Sequence, residues 1–136
     1  MMVEITTKAI SPESVIARAK TSGSGCVATY VGLIRDNSHG KKVASVEYQD
    51  KNGKAVEGMR KIVHEAKQKW QVENIAFTHR IGILKVGDIN LVVAVAAGHR
   101  GDGFAACQYI IDRFKESLPT HKIETYEDGS VLDHND

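Results

Sequence analysis

The chain has 136 residues, of which 42% are hydrophobic and 26% charged, with a formal net charge of +1. That is the balance of one soluble globular domain, expected to span 1–136 and long enough to bury its apolar surface without disulfide staples. So even a charge excludes the broad basic face that holds a nucleic-acid backbone, and no stretch approaches the roughly 20 apolar residues of a membrane span.

Met1 to Ile10 carries only short apolar pieces broken by Glu4 and Lys8. Nothing there directs the chain out of the cytosol, so a cytoplasmic location is expected. Ser11-Pro12 is a helix-start signal, Ser as the cap and Pro at the first helical position, and it predicts a helix from Pro12 to about Thr21. After Ser22-Gly23-Ser24-Gly25, the run Cys26 to Ile34 is rich in strand formers and apolar on both faces, the pattern of a strand with a buried middle. Asp36 to Lys42 is expected to be a loop, and Val43 to Tyr48 a second strand. From Lys54 onward Ala55, Met59, Ile62, Val63, Ala66 and Trp70 fall three or four apart, which marks one face of a helix. Val72 to His79 and Ile89 to Ala97 read as strands separated by Gly82 and the turn Val86-Gly87-Asp88, the second almost wholly apolar and central. A third helix follows Gly98 to Gly103, with Phe104, Cys107, Ile111, Phe114 and Leu118 on one face, and ends before Pro119. His121 to Tyr126 is a final short strand ahead of a polar end. Helices and strands interleave without the glycine-marked crossovers of a doubly wound sheet, which predicts an α+β fold.

Several site types are excluded. There is no Cys-x-x-Cys, no phosphate-binding glycine loop ending in Lys-Ser or Lys-Thr, and no nucleophile elbow. His64-Glu65 meets Gln68 where a zinc helix would place its second histidine, so no metal site is expected, and no cofactor. Cys26 and Cys107 lie far apart in apolar surroundings and read as reduced core thiols. What remains are cations where elements begin and end: Arg35, His99, Arg100, Lys115 and Lys122. Arg35 and His99-Arg100 each follow an apolar strand and would project from the same end of a sheet, beside a helix N-terminus; forked guanidiniums and helix N-termini both favour anions. Lys115 and Lys122 would approach one another near the end of the third helix. A neighbouring cation and partial burial would make such an amine a better base or nucleophile. At each position a solvated surface cation is the competing reading.

At the same residues the chain resembles the large subunit of molybdopterin synthase. Thr29-Tyr30-Val31-Gly32-Leu33-Ile34-Arg35 is similar to the family's aromatic-x-Gly-x-Val-Arg strand, and Thr78-His79-Arg80-Ile81-Gly82-Ile83-Leu84-Lys85-Val86-Gly87-Asp88 to its His-Arg-x-Gly-x-Leu-x-x-Gly-(Asp/Glu) segment. Ala97-Gly98-His99-Arg100-Gly101-Asp102-Gly103-Phe104-Ala105-Ala106 is similar to its Ser-x-His-Arg-x-x-Ala-Phe-x-Ala segment. Asp112-Arg113-Phe114-Lys115, then Pro119-Thr120-His121-Lys122-Ile123-Glu124, resemble its Asp-x-Leu-Lys helix end and Pro-x-Trp-Lys-x-Glu strand. Four motifs in order are far more specific than any one of them.

The resemblance implies an α/β hammerhead-type domain with mixed and antiparallel sheets and about three helices. It implies a homodimer within a heterotetramer whose ubiquitin-like small subunit carries sulfur as a thiocarboxylate on a C-terminal Gly-Gly. Two sulfur transfers would turn cyclic pyranopterin monophosphate into the molybdopterin dithiolene. On the family pattern Lys115 and Lys122 fall on the catalytic lysines, and Arg35, His99 and Arg100 on substrate-binding residues. This chain departs from the pattern with His121 in place of the usual Trp, Gly103 in place of Ala, and a short tail after Gly129. A reshaped pocket wall around Lys122 is therefore expected, and a non-catalytic relative that keeps the dimer and partner surfaces is the alternative. An unrelated enzyme holding some other phosphorylated metabolite with Arg35 and Arg100 is a further one.

Overall fold

The computed structural model describes residues 1–134; Asn135 and Asp136, the last of the expected polar end, lie outside them. Its organising element is the strand Ile89–Ala97, β7, because every residue from Leu91 to Ala97 is buried. Side chains alternate across a strand. Leu91, Val93 and Val95 therefore enter one core and Val92, Ala94 and Ala96 another. β7 is central to a four-stranded sheet ordered β1 (Met2–Thr6), β5 (Asn74–Arg80), β7, β2 (Cys26–Leu33). β1 runs parallel to β5, whereas β5 and β2 are both antiparallel to β7.

The larger core lies between one face of this sheet and two helices, α2 (Ala55–Lys69) and α3 (Arg100–Glu116). Met59, Ile62, Val63 and Ala66 of α2 and Ala106, Cys107, Ile110 and Phe114 of α3 fill it. Glu65 ties the two helices by accepting from Tyr109 Oη at 3.1 Å and Arg113 Nε at 3.2 Å. The other face is covered by α1 (Pro12–Ala19), whose Val15 and Ala19 pack on the small side chains Ala94 and Ala96. The Ser11 side chain caps α1, accepting from the Ser14 N–H at 3.3 Å.

A second, antiparallel sheet is built on β4 (Lys41–Gln49). It pairs with β3 (Asn37–Ser38), β6 (Gly82–Lys85) and β8 (His121–Tyr126), and β8 in turn with β9 (Val131–Asp133). Val43, Val46, Tyr48, Leu84 and Tyr126 give this sheet its own core. The expected α+β class, with mixed and antiparallel sheets and three helices among the described residues, is the fold observed. The expected loop at Asp36 to Lys42 is instead a hairpin, because His39 and Gly40 both take positive φ, 53° and 74°, and turn β3 tightly into β4. None of the described helices is long and apolar enough to cross a membrane.

Candidate functional site

Where β2 ends, α3 ends and β8 begins, the two sheets leave a cleft of about 640 Å³ between them. Arg35, Lys115 and Lys122 all line it. Three features of the chain bring them there. Arg35 follows β2, Lys115 sits in the last turn of α3, and the short link through Pro119 returns the chain into β8 so that Lys122 faces the same space. The two lysines expected near the end of the third helix thus line one cleft. Lys115 is exposed, however, and Lys122 only half-buried, so the partial burial anticipated for a lysine base is not met at Lys115 within one chain.

His99 and Arg100 are elsewhere, and the expectation that they share a sheet end with Arg35 is corrected. β2 and β7 are antiparallel, with Leu33 opposite Ile89 and Cys26 opposite Ala97. The end of β2 therefore lies beside the start of β7, roughly 27 Å of strand from its far end. α3 runs back along the sheet, so Lys115 returns to the Arg35 end while Arg100 stays about 22 Å away along the helix axis. One chain holds two separate basic clusters: Arg35, Lys115 and Lys122 at the cleft, and His99 with Arg100 at the exposed N-terminus of α3.

Glu124 is the cleft residue that sequence reasoning left without a role. Residues two apart on a strand share a face, so Glu124 lies beside Lys122, and its Oε1 is 3.3 Å from the Lys122 Nζ. That spacing was the available signal. Burial would push the Glu124 carboxyl up, but the hydroxyls of Tyr126 and Ser38 and the Lys122 ammonium outweigh it and hold the group down to about 2. The Tyr126 hydroxyl donates to Oε2 at 2.6 Å, and His134 Nε2 lies 3.0 Å from Oε1. Tyr48, buried on β4, is pushed up by burial and accepts from Asn90 Nδ2 at 3.1 Å.

His121 does not line the cleft. It occupies the face of β8 opposite Lys122, 7% exposed, with Nε2 2.7 Å from a carboxylate oxygen of Asp133 on β9. His121 thus faces β9, away from the cleft wall that Lys122 occupies. Gly103 has a packing explanation: a Cβ there would meet the Cys26 Sγ at 3.3 Å, so the glycine lets α3 lie close on β2. Both cysteines are free, and burial pushes the Cys107 thiol up to about 11, as suits an inert core thiol.

Three cations and one fixed carboxylate in an open cleft suit an anionic substrate that must be held while protons move. Comparisons with known proteins show which family the chain resembles. The family model described as MoaE protein matches residues 5–117. The molybdopterin synthase catalytic subunit of Bacillus subtilis is 35% identical over 126 residues, covering 93% of this chain and 80% of that protein. The human molybdopterin synthase catalytic subunit is 34% identical, covering 98% and 71%. The crystal structure of molybdopterin synthase from Staphylococcus aureus superposes with a TM-score of 0.90 at 30% identity, covering 98% of this chain and 97% of that one.

Proposed function

The chain belongs to the MoaE protein family, and from that premise we propose that it is the catalytic subunit of a molybdopterin synthase, moving sulfur from a thiocarboxylated, ubiquitin-like small subunit onto cyclic pyranopterin monophosphate. The observation that carries this reading is the convergence of Arg35, Lys115 and Lys122 on one cleft from three separate elements. The substrate is a phosphate ester, and Arg35 holds it through charge-assisted hydrogen bonds. Lys115, exposed and reachable from solvent, serves as the general acid and base or as the transient acyl acceptor for the carrier's C-terminal Gly-Gly. Lys122, fixed by Glu124, stabilises the anionic intermediates. In each transfer the bond between sulfur and the carrier's acyl carbon breaks and water restores that carbon as a carboxylate. The sulfur bonds to a side-chain carbon of the precursor and a carbon–oxygen bond there breaks, its oxygen leaving as water or with the opened phosphate ester.

His99 and Arg100 enter this site only from a second copy of the chain. A single chain keeps them a helix length away, so the assignment of all five residues to one pocket requires a homodimer in which the partner's α3 N-terminus closes the cleft. Two surface features support such a dimer: β2 is an edge strand, and Phe104, 65% exposed, stands over an apolar hollow beside it. The working enzyme would then be this homodimer with a small subunit bound to each copy, acting in the cytoplasm.

The reading is tested by supplying purified protein with thiocarboxylated small subunit and the cyclic precursor. The wild type should form molybdopterin, and Lys115→Ala, checked for folding and for small-subunit binding, should be slower by about a hundredfold or more. No product from folded, partner-bound wild type would favour the non-catalytic relative. Equal rates in the two proteins would keep the enzyme and remove Lys115 from the chemistry.

A further inference from the structure

Glu124 has two histidine neighbours at the rim of the cleft that the proposed sulfur transfer does not use. His39 comes from the turn between β3 and β4, and His134 directly follows β9, the partner of Glu124's strand, so two distant parts of the chain meet. One ligand atom from each of His39, Glu124 and His134 lies within 4.8 Å of the other two. The backbone under each is fixed. His39 is the one non-glycine residue with positive φ among those described, held in a two-residue turn where Asn or Gly is the usual occupant. The His134 N–H donates to the Lys122 carbonyl at 3.0 Å. The Glu124 carboxylate is 3% exposed and is oriented by the Tyr126 hydroxyl on Oε2, which leaves Oε1 toward His134. A carboxylate so oriented by an outer partner is the usual build of a metal ligand.

We propose that His39, Glu124 and His134 form a three-ligand site for a divalent transition-metal ion of the Zn²⁺ class, and that an ion bound there draws Glu124 away from Lys122. Two imidazoles and one carboxylate are a recognised donor set for such ions, leaving a fourth position for water. Tetrahedral bonds of about 2.0 Å place donor atoms about 3.3 Å apart. The Glu124 Oε1 to His134 Nε2 distance, 3.0 Å, is already close to that, and His39, exposed at its turn, has the freedom to close the rest. Lys122 opposes the ion, because its ammonium stands 3.3 Å from the same Oε1. Metal and Lys122 therefore compete for one carboxylate oxygen. An ion at the rim would release the lysine that the cleft uses and clip the β3–β4 turn to the segment after β9. The site itself does not rest on the synthase reading, since it is defined by binding alone.

The test is a titration of the full chain, stripped with chelator, with Co²⁺ followed by its visible absorption and with Zn²⁺ followed by calorimetry at neutral pH. One ion per chain should bind with the absorption of a four-coordinate site. His39→Ala and His134→Ala should each weaken binding by roughly tenfold or more, while His64→Ala, an exposed histidine on α2, should leave it unchanged. Lys122→Gln should tighten binding severalfold by removing the competing cation. Failure of the wild type to bind one equivalent, or equal binding by wild type, His39→Ala and His134→Ala, would overturn the site and mark any uptake as adventitious. Unchanged affinity in Lys122→Gln would overturn the competition. Circular dichroism melts of each variant separate lost binding from lost fold.

Discussion

His79 on β5 and Thr120 at the head of β8 are joined inside the protein by a 3.0 Å hydrogen bond between Nε2 and Oγ1. The Asn90 carbonyl can only accept, so His79 Nδ1–H donates to it at 2.9 Å, and Nε2 of the neutral ring accepts from the Thr120 hydroxyl. Tyr48 and Phe114 pack edge-on against the ring. This histidine holds the residue two positions before Lys122, so it shapes the cleft without lining it. Burial pushes His79 down to about 4, against the weaker upward pull of the Asn90 carbonyl and Asp50.

The first prediction concerns pH. An unfolded histidine takes its proton near 6.5 while the folded one does not until about 4, so the unfolded state binds more protons in between and stability falls as pH falls. That gap corresponds to on the order of 3 kcal/mol, present in full above about pH 6.5 and gone below about pH 4. The Glu124 contribution lies lower, present above about 4.5 and lost as pH falls toward 2. Urea melts at a series of pH values should show the upper loss in the wild type and not in His79→Gln. An equal slope in both proteins between pH 6.5 and 4 would assign the loss to other groups.

A second prediction concerns Gly25. Its N–H donates to the Ala97 carbonyl at 2.8 Å, and a Cβ added there would stand 2.2 Å from the Gly98 carbonyl oxygen, which is backbone and cannot swing aside. Gly25→Ala should therefore cost about 3 kcal/mol and lower the melting temperature by roughly 10 °C. At Gly98 an added Cβ meets nothing within 4 Å, and Gly98→Ala should stay within about 0.5 kcal/mol of wild type. Matching melts for the two variants would refute the close approach of β2 to the end of β7.

Long or strongly patterned elements were legible in the sequence. Ile89–Ala97 and His121–Tyr126 are strands with the expected ends, and α2 departs from its expected limits by about a residue. β1, β6 and β9 were not legible, since five, four and three residues carry no periodicity of their own. β1 exists because it pairs with β5, whose residues lie some seventy positions away. Site residues followed the same rule. Arg35, Lys115 and Lys122 were visible as cations at the ends of elements. The separation of Arg35 from His99 depends on the antiparallel pairing of β2 with β7, which neither strand's own sequence states. Glu124 was passed over because its meaning lies in Tyr126, Lys122 and His134 together.

The third prediction tests the proposed dimer. Phe104 is 65% exposed on α3 above a hollow of about 520 Å³ lined by Thr29, Tyr30, Cys107, Gln108 and Ile111. Val31 and Leu33 on edge strand β2 are exposed as well. Phe104→Asp should give a monomer in sedimentation equilibrium with little change in helix content, because so exposed a side chain contributes little to the fold of one chain. A dimer as tight as the wild type would place the interface on another face.

The last prediction asks whether two chains share one site. If Arg35, Lys115 and Lys122 come from one copy and His99 with Arg100 from the other, Lys115→Ala and Arg100→Ala disable the same pocket from opposite sides. Mixing the two inactive variants, with subunits allowed to exchange, then makes heterodimers in which one pocket carries both lesions and the other carries neither. Half of a statistical mixture is heterodimer, so roughly a quarter of all pockets should regain activity. If all five residues acted within one chain, every pocket in the mixture would carry one lesion and no activity would return. Molybdopterin formation after exchange reads this directly, and its absence from demonstrably mixed dimers would remove Arg100 from the partner's pocket.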